Sequence, residues 1–332
     1  MDEAPSPGFS RVLQSERRRR GRGRVACAAM VVFFILLLIV GHASRWLPQI
    51  DPTFDVFSHF RLQVMLGIGA FGIGLLIPRA RVLTGIVILI VGLLIIGLYP
   101  QVHSEAQRVV AEAPAGTRAL KVMSFNMSLL NRRPDLVLAE IERVNPDVVA
   151  LIEFSPDQRD LLVDLQMAYP YSVNCFGRQG CYFALFSRYA FSTDVVRTNW
   201  KTPRLISARF GQELGNLTLL GVHVLRFPHS YYQMVQMRAL AAALAPINGP
   251  KIVMGDFNAT AFSNALQSFE ALSGLERHSG LPSWPSTMRL PQIGIDHVFA
   301  SRDIRALSSS RIGRYAGSDH YSVDVTLAVP VR

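Results

Sequence analysis

The sequence predicts an α/β domain of two packed β-sheets flanked by helices, which three transmembrane helices precede. Hydrophobic residues make up 50% of the 332 positions, and most of this apolar excess lies in the first hundred residues. Beyond residue 117, strand-like and helix-like patterns alternate, and several apolar runs end in a polar residue. We therefore divide the chain into a basic tail (1–24), a transmembrane region (25–99), a linker (100–117) and a globular domain (118–332).

Three apolar stretches in the first hundred residues are long enough to suggest membrane helices. Residues 25–41 and 82–99 carry no charge, and Gln63 is the only interruption in residues 62–77. Roughly 20 apolar residues cross a bilayer as a helix. A cleaved signal peptide competes for the first stretch, because residues 41–43 offer small side chains at a suitable spacing. No ionisable residue lies mid-helix, so we expect glycine-mediated packing and not transport.

The distribution of arginine predicts the orientation in the membrane. The tail carries seven arginines, and the turn at residues 78–81 carries two, whereas the longer loop between the first two helices has only Arg45 and Arg61. Positive flanks stay in the cytoplasm. We expect a multi-pass protein of the inner (plasma) membrane, with a cytoplasmic N-terminus and the globular domain on the periplasmic side. Residues 101–332 contain 23 Lys and Arg against 19 Asp and Glu, so the net charge of +10 is no strong sign of nucleic-acid binding.

The three cysteines give a weaker indication of the compartment. Cys27 lies inside the first apolar stretch, which leaves Cys175 and Cys181 as the pair in the globular domain. A glycine-containing spacer separates them, and an exported domain would preserve a disulfide there. Two small buried thiols explain the same pattern.

The globular domain alternates helices and strands along its whole length. Its helix patterns cover residues 134–143, 156–166 and 230–244. Its strand patterns cover residues 120–126, 147–154, 181–187, 191–196, 205–210, 216–224, 252–256, 295–300, 304–312 and 321–327. Many strands with helices spread between them are typical of two packed sheets flanked by helices.

Polar side chains recur where these strands end. They are Asn126, Glu153, His223, Asp256, Asp296, and the neighbours Asp319 and His320. Asp256 and Asn258 are two positions apart, so an extended chain would point both the same way, and Gly255 would let the backbone turn where a Cβ would obstruct. Carboxylate and amide oxygens are hard ligands that suit Mg²⁺, with Mn²⁺ as a substitute.

The chain resembles the endonuclease/exonuclease/phosphatase (DNase I-like) superfamily over about residues 118–327. Ser124-Phe125-Asn126, Glu153, Gly255-Asp256-Phe257-Asn258, Ile295-Asp296-His297 and Ser318-Asp319-His320 occur in the order of that family. The resemblance implies a four-layer α/β sandwich with the active site at one end of the two sheets. Ile152 and Val222 depart from the commoner pattern, which affects substrate contacts more than the chemistry.

The resemblance also implies roles for these residues. Glu153 and Asn126 resemble the ligands of the cation, and Asp319 supports it. Asp256 resembles the aspartate that handles the attacking water, and Asn258 orients it. Asp296 and His320 match a carboxylate and imidazole pair, and His223 matches a histidine near the leaving group. Three other histidines are interpreted from the sequence pattern itself. His297 follows Asp296 and should face the other way in a regular strand, so it should be structural, and His229 and His278 lie in loop-like stretches and should be solvated.

The sequence therefore predicts a membrane-anchored, Mg²⁺-dependent phosphoesterase that hydrolyses a phosphodiester of nucleic acid, phospholipid or sugar phosphate by direct attack of water. A catalytically silent, membrane-tethered scaffold that binds a partner is the alternative. Tyr182, Arg188 and Arg226 flank site-bearing strands and are candidates for contacting a phosphate. An exposed arginine that is merely solvated is the competing interpretation.

Overall fold

The computed structural model describes residues 7–43, 51–77, 81–98, 109–110, 112–176, 182–195, 201–288 and 293–331. Residues 78–80 of the predicted turn at 78–81, most of the linker and Cys181 lie outside these residues. Cys175 is buried and disulfide-bonded, whereas Cys27 is free. A bridge at Cys175 agrees with the predicted disulfide, whose expected partner is Cys181.

Each predicted membrane stretch forms a helix, but only one helix meets the requirements for a span. The N-terminal helices are α1 (Pro7–Ala43), α2 (Val56–His59), α3 (Arg61–Leu76) and α4 (Arg81–Leu98). Among the described residues, Ser15–Gly41 of α1 alone is long and apolar enough to cross a membrane. A second span results only if Pro52–His59 and α3 count as one, and that pair bends by 63°.

The three predicted spans are therefore not confirmed. The 16 residues of α3 extend only about 24 Å at 1.5 Å per residue, which is shorter than a hydrocarbon core of about 30 Å. The described apolar part of α4, Arg81–Leu93, is shorter still. A signal sequence near the N-terminus meets the same requirements as α1. The helices pack closely at glycine as expected, since a Cβ on Gly67 would lie 2.6 Å from the Phe34 ring.

The globular domain contains two sheets. The seven-stranded sheet comprises β1 (Thr117–Asn126), β2 (Val148–Ile152), β3 (Tyr171–Asn174), β4 (Phe183–Ser187), β11 (Arg305–Ala306), β12 (Arg311–Ile312) and β13 (Val323–Pro330). Its order is β11-β13-β1-β2-β4-β3, and β12 also pairs with β13. The six-stranded sheet comprises β5 (Phe191–Val195), β6 (Arg204–Phe210), β7 (Thr218–His223), β8 (Lys251–Asp256), β9 (Glu276–Ser279) and β10 (Asp296–Ala300). Its order is β5-β6-β7-β8-β10-β9.

Helices cover the outer face of each sheet. They are α5 (Pro134–Val144), α6 (Asp160–Gln166), α7 (Ser230–Leu244) and α8 (Asn264–Ser273). One apolar cluster, which includes Val122 and Met254, fills the space between the sheets. A second joins the six-stranded sheet to α7 and α8, and a third joins the seven-stranded sheet to α5 and α6. These layers form the predicted sandwich of two packed sheets flanked by helices.

The strand pairings bring the polar strand ends to one edge of the sandwich. In the first sheet β1 and β2 are parallel, and Asn126 is level with Ile152, which immediately precedes Glu153. In the second sheet β7 and β8 are parallel, and His223 is level with Asp256. Antiparallel β10 starts opposite the end of β8, so Asp296 is also level with Asp256. We call this edge of the sandwich the catalytic edge.

The glycine before Asp256 is required by the backbone. Gly255 has φ of 151°, and a Cβ at this position would lie 2.0 Å from the carbonyl oxygen of Val222. Neither the dihedral angle nor the space suits an L side chain. The predicted obstruction by a Cβ is therefore confirmed, but the chain does not turn at Gly255, which lies within β8.

Candidate active site

One amide joins the two carboxylates that the two sheets contribute to the catalytic edge. The Asn126 Nδ2 donates to Asp256 Oδ2 at 3.0 Å and to Glu153 Oε1 at 3.3 Å. Glu153 directly follows β2 with φ of 58°, a left-handed conformation that costs energy for a residue other than glycine. The backbone N–H of Leu129 holds its other oxygen at 3.1 Å. This strained turn directs the glutamate toward the second sheet.

Asp256 is buried within a set of amide donors. Its Oδ1 accepts from the backbone N–H of Asn258 at 2.8 Å, and its Oδ2 accepts from the Asn258 side chain at 3.2 Å. Asn258 has φ of 49°, so the chain turns here instead of staying extended, and yet the two side chains meet. Burial, followed by the negative charge of Asp296, raises the pKa of Asp256 to about 7.

Asp296 and His320 form the predicted pair. His320 Nδ1 lies 2.8 Å from Asp296 Oδ2, which also accepts from the Ser283 hydroxyl at 2.5 Å. Burial disfavours the imidazolium, but the charges of Asp296 and Asp256 outweigh it and raise the pKa of His320 to about 10. The Nε2 of this cationic ring lies 3.9 Å from Asp256 Oδ2.

His223 approaches the same carboxylate in the opposite charge state. Its Nε2 lies 3.7 Å from both Glu153 Oε1 and Asp256 Oδ2. Burial lowers the pKa of His223 to about 4, and the nearby Arg204 and His320 add to this effect while Glu153 opposes it. One histidine is therefore charged and the other neutral at neutral pH. Such a separation of pKa values within one site is typical of acid–base chemistry.

Two groups of side chains at this edge could hold a divalent cation. Asp256, Asp296 and His320 bring one ligand atom each within 4.8 Å of one another. However, His320 already shares its proton with Asp296, and its positive charge repels a cation. Glu153 and Asn126 fit better, since the Glu153 side chain is 25% exposed and its oxygens suit Mg²⁺. Asn126 would have to turn its amide so that Oδ1 replaces Nδ2.

Asp319 lies beside this site but not between the predicted ligands. Its Oδ2 accepts from the indole N–H of Trp284 at 3.2 Å. Its negative charge contributes to the raised pKa of His320. Within the described residues, the group of side chains close enough together to share a cation is Asp256, Asp296 and His320, and Asp319 is not part of it. The geometry therefore assigns Asp319 to the surroundings of His320, where it can support a cation only from a distance.

Of the three predicted substrate contacts, Tyr182 and Arg226 lie in the chain at the catalytic edge, and Arg188 lies at the opposite end of the strands. Tyr182 lies at the catalytic edge, because its carbonyl oxygen accepts from the N–H of Phe154 at 3.1 Å. Arg226 is exposed two residues beyond Val224, whose carbonyl oxygen binds Asn258 Nδ2 at 3.0 Å.

The prediction for Arg188 is wrong. β4 runs antiparallel to β2, so the end of β4 lies beside the start of β2, and Ser187 pairs with Val148. Arg188 contacts Asp147 at 3.5 Å, hydrogen-bonds the Asn145 side chain, and lies 5.6 Å from the Tyr169 ring. With the five residues of β2 separating it from Glu153, it is roughly 17 Å away at about 3.3 Å per residue.

The sequence pattern missed two serines and an arginine at the catalytic edge. The Ser318 hydroxyl donates to the carbonyl oxygen of Asn126 at 2.7 Å and accepts from the N–H of His320 at 3.0 Å. Ser283 binds Asp296, and no local pattern indicated it. Arg204 is level with His223 across β6 and β7. Of these three residues, only Ser318 could have been found from the sequence, because it is the first residue of Ser318-Asp319-His320.

Two further histidine predictions have opposite outcomes. His297 is buried, and its ring nitrogens lie 3.0 Å from the Ser279 carbonyl oxygen and 2.7 Å from that of Ala259. Its structural role is therefore confirmed. His278 is only 6% exposed, because β9 pairs with β10, so the expectation of a solvated side chain was wrong.

Comparison with known proteins identifies the family. A sequence model of the endonuclease/exonuclease/phosphatase family matches residues 123–320. The chain belongs to this family. Its members are metal-dependent phosphoester hydrolases, and this chain is an enzyme of that type. No curated protein sequence matches the chain.

Solved structures share the fold at low sequence identity. An endonuclease/exonuclease/phosphatase from Beutenbergia cavernae DSM 12333 is 20% identical with a TM-score of 0.52, and the match covers 64% of this chain and 72% of that one. A second, from Bacteroides vulgatus, is 17% identical with a TM-score of 0.53, covering 64% and 99%. D. rerio TDP2, humanized by 14 mutations, is 17% identical with a TM-score of 0.52, covering 63% and 98%.

Proposed function

We propose that this chain is a membrane-anchored, Mg²⁺-dependent phosphodiesterase that cleaves a P–O bond by direct attack of water. One observation carries the proposal. The buried carboxylate of Asp256, whose pKa is about 7, lies between a neutral and a cationic imidazole. Its Oδ2 is 3.7 Å from His223 Nε2 and 3.9 Å from His320 Nε2. Hydrolysis of a phosphodiester needs a base for the water and positive charge for the phosphate oxygens.

Each residue then has a distinct task. Asp256 accepts the proton of the attacking water, since a pKa near the working pH suits a general base. Asn258 holds Asp256 through two hydrogen bonds and thereby orients it. His320, kept charged by Asp296, stabilises the negative charge that grows on the phosphate oxygens. His223, as a neutral imidazole, would hydrogen-bond the departing oxygen.

Glu153 and Asn126 would hold the cation, and Asp319 would support it from a distance. When bound, Mg²⁺ supplies further neutralisation of charge on the phosphate; Mn²⁺ fits the same oxygen ligands. Tyr182 and Arg226 are the remaining candidates for substrate contact. Arg204 is a further candidate, because it pairs with His223 across β6 and β7.

We place the domain of residues 118–332 on the periplasmic side of the plasma membrane, with residues 1–24 in the cytoplasm, residues 25–99 in the bilayer and residues 100–117 as linker. The arginine-rich tail before the apolar part of α1 supports this orientation. The disulfide at Cys175 supports an oxidising compartment. A reporter that is active in one compartment only, fused at residue 110, tests the topology, and cytoplasmic activity would contradict it.

Nucleic acid is one candidate substrate class. A D. rerio TDP2 structure with this fold, at 17% identity and a TM-score of 0.51, contains a single-stranded DNA product. The modest excess of four positive charges in residues 101–332 gives less support, because the phosphate backbone requires many cationic contacts. The complete set of acid–base residues disfavours a catalytically silent scaffold.

Turnover by the purified full-length chain tests the proposal. The substrates are bis(p-nitrophenyl) phosphate, p-nitrophenyl phosphate, single-stranded DNA and phospholipid vesicles, each with Mg²⁺ or with EDTA. We expect Mg²⁺-dependent cleavage of a diester that EDTA abolishes. Cleavage that is insensitive to EDTA would contradict the metal requirement, and cleavage of the monoester alone would contradict a diesterase.

A further inference from the structure

Residues 51–59, which precede α3, are docked on the globular domain through a buried carboxylate. Asp55 is 3% exposed, and its two oxygens accept from the backbone N–H groups of Asn264 at 2.9 Å and Ala265 at 3.2 Å. These are the first two residues of α8, so Asp55 supplies an anion to a helix N-terminus from more than two hundred residues away. Such charge-assisted hydrogen bonds fix the position of the segment.

The outer end of α1 contacts the same region. The carbonyl oxygen of Gly41, the last residue of the apolar span, accepts from the Ser58 hydroxyl at 3.0 Å and from the Asn264 side chain at 3.3 Å. His59 Nδ1 accepts from the N–H of Thr260 at 3.3 Å. The bilayer surface, where α1 would emerge, is therefore next to residues 260–265.

Those residues belong to the catalytic edge. Thr260 lies two positions after Asn258 and four after Asp256. The chain leaves β8 at the active site and enters α8 at the contact with Asp55. The domain is consequently attached to α1 at the end of the sandwich that carries the active site, and the opposite end, with Arg188, points away from α1.

Exposed aromatic side chains lie on this edge. Phe54 belongs to the 3-10 turn Pro52–Asp55 and is 42% exposed. That turn packs against α7, at whose start Phe227 is 50% and Tyr231 is 61% exposed. We call Phe54, Phe227 and Tyr231 the aromatic rim. Tyr rings are enriched at the headgroup level of a bilayer, and exposed Phe side chains enter the adjoining apolar layer of membrane-bound surfaces.

We propose that the catalytic edge lies on the outer surface of the bilayer, with the aromatic rim in contact with lipid, and that the substrate is a phosphate ester anchored in that membrane. We assign the bilayer as the partner of the aromatic rim because the rim is joined to the apolar span of α1. Gly41 and Asp55 make this connection through their hydrogen bonds to the start of α8. This inference rests on the proposed phosphodiesterase function and adds the class of substrate. Attack at the headgroup phosphate would break one P–O bond and add water across it.

Photo-crosslinking tests the orientation without using activity. A genetically encoded benzophenone amino acid replaces Tyr231 in the full-length chain, which is reconstituted in vesicles of phosphatidylethanolamine and phosphatidylglycerol. Tyr171 serves as the matched control, because it is 42% exposed and pairs with Ser187 at the opposite end of the strands. We expect about tenfold more lipid adduct at position 231 than at 171. Equal adducts, or adducts with protein at 231, would overturn the proposal.

Kinetics of rim variants test the substrate class. The full-length variants Phe227→Ala and Tyr231→Ala are compared with wild type on phospholipid in vesicles and on soluble bis(p-nitrophenyl) phosphate. Loss of a ring that enters the interface should lower turnover of the lipid about tenfold and leave turnover of the soluble diester unchanged. Tyr171→Ala should change neither. Equal losses on both substrates would overturn the proposal.

The membrane-anchored substrate and the phosphodiesterase activity can be disproved separately. Wild-type protein that cleaves the soluble diester and DNA but no phospholipid would overturn the membrane substrate and leave the phosphodiesterase intact. Wild-type protein that cleaves none of these would overturn the proposed function, and the crosslinking result would still decide which edge meets the bilayer.

Discussion

Replacement of Asp296 by Asn should lower the pKa of His320 and so weaken the hold of the active site on its imidazolium charge. Asp296 lies 2.8 Å from His320 Nδ1, and with Asp256 it raises the pKa of the buried imidazole from 6.5 to about 10. Each pKa unit corresponds to about 1.4 kcal/mol, and breaking a buried charge pair costs about 3–5 kcal/mol. Asn keeps the shape and a hydrogen bond but removes the charge.

The sign of the effect follows from the raised pKa. Since the folded protein binds the His320 proton more tightly than the unfolded chain, the stabilisation is complete below about pH 6.5 and is lost as the pH rises through about 10. In Asp296→Asn the attraction of Asp256 and the cost of burial remain, so we expect the pKa of His320 to fall well below its wild-type value of about 10. The variant should therefore show less dependence of stability on pH above neutrality.

NMR titration of ¹³C-labelled histidine from about pH 5 to 11 measures this pKa directly. The full-length chain is titrated in EDTA, and the His320 signal is assigned by its loss in His320→Gln. Asp135→Asn is the matched control, since Asp135 is an exposed aspartate that binds Arg133, and it should leave the His320 pKa near 10. A wild-type His320 that titrates near 6.5, or a pKa that Asp296→Asn leaves unchanged, would refute the reasoning.

Three further predictions address the backbone, the cation and the corrected arginine. Gly255→Ala forces a Cβ to 2.0 Å from the Val222 carbonyl oxygen, so it should lower the free energy of unfolding by more than about 2 kcal/mol and lower the thermal unfolding temperature. Gly211→Ala is the control and should leave the unfolding temperature nearly unchanged, because nothing lies within 4 Å of the added Cβ. Glu153→Gln should weaken Mn²⁺ binding at least about tenfold by EPR, and unchanged affinity would contradict its role as a ligand. Arg188→Ala should leave kcat/KM unchanged, and a raised KM would place Arg188 at the site after all.

The polar strand ends could be predicted from the sequence because each depends on a local pattern. Asn126, Glu153 and Asp256 each close an apolar run, and parallel pairing within a sheet then brings neighbouring ends level. The sequence could not show that the Asn126 amide spans the gap between the two sheets. That contact depends on how the sheets pack.

The errors have equally specific causes. Arg188 follows a strand just as Glu153 does, but the direction of a strand within its sheet is not visible in its own residues. Strand β9, Glu276–Ser279, was missed because its residues are polar and show no apolar alternation. Helix α8 was missed although Ser263, directly before it, is a local N-cap that accepts from the N–H of Leu266. The contribution of Asp55 to the same helix terminus has no local pattern, because Asp55 lies far away in the chain.

Turnover of bis(p-nitrophenyl) phosphate by wild type and Asp256→Asn tests the central claim most directly. Both full-length proteins are assayed with Mg²⁺ and with EDTA, after circular dichroism shows that they are equally folded. Because Asp256 would be the base for the attacking water, the variant should lose about 10²–10⁴-fold in kcat while the wild type depends on Mg²⁺. A folded Asp256→Asn protein with wild-type kcat would contradict the assignment of this edge as the active site.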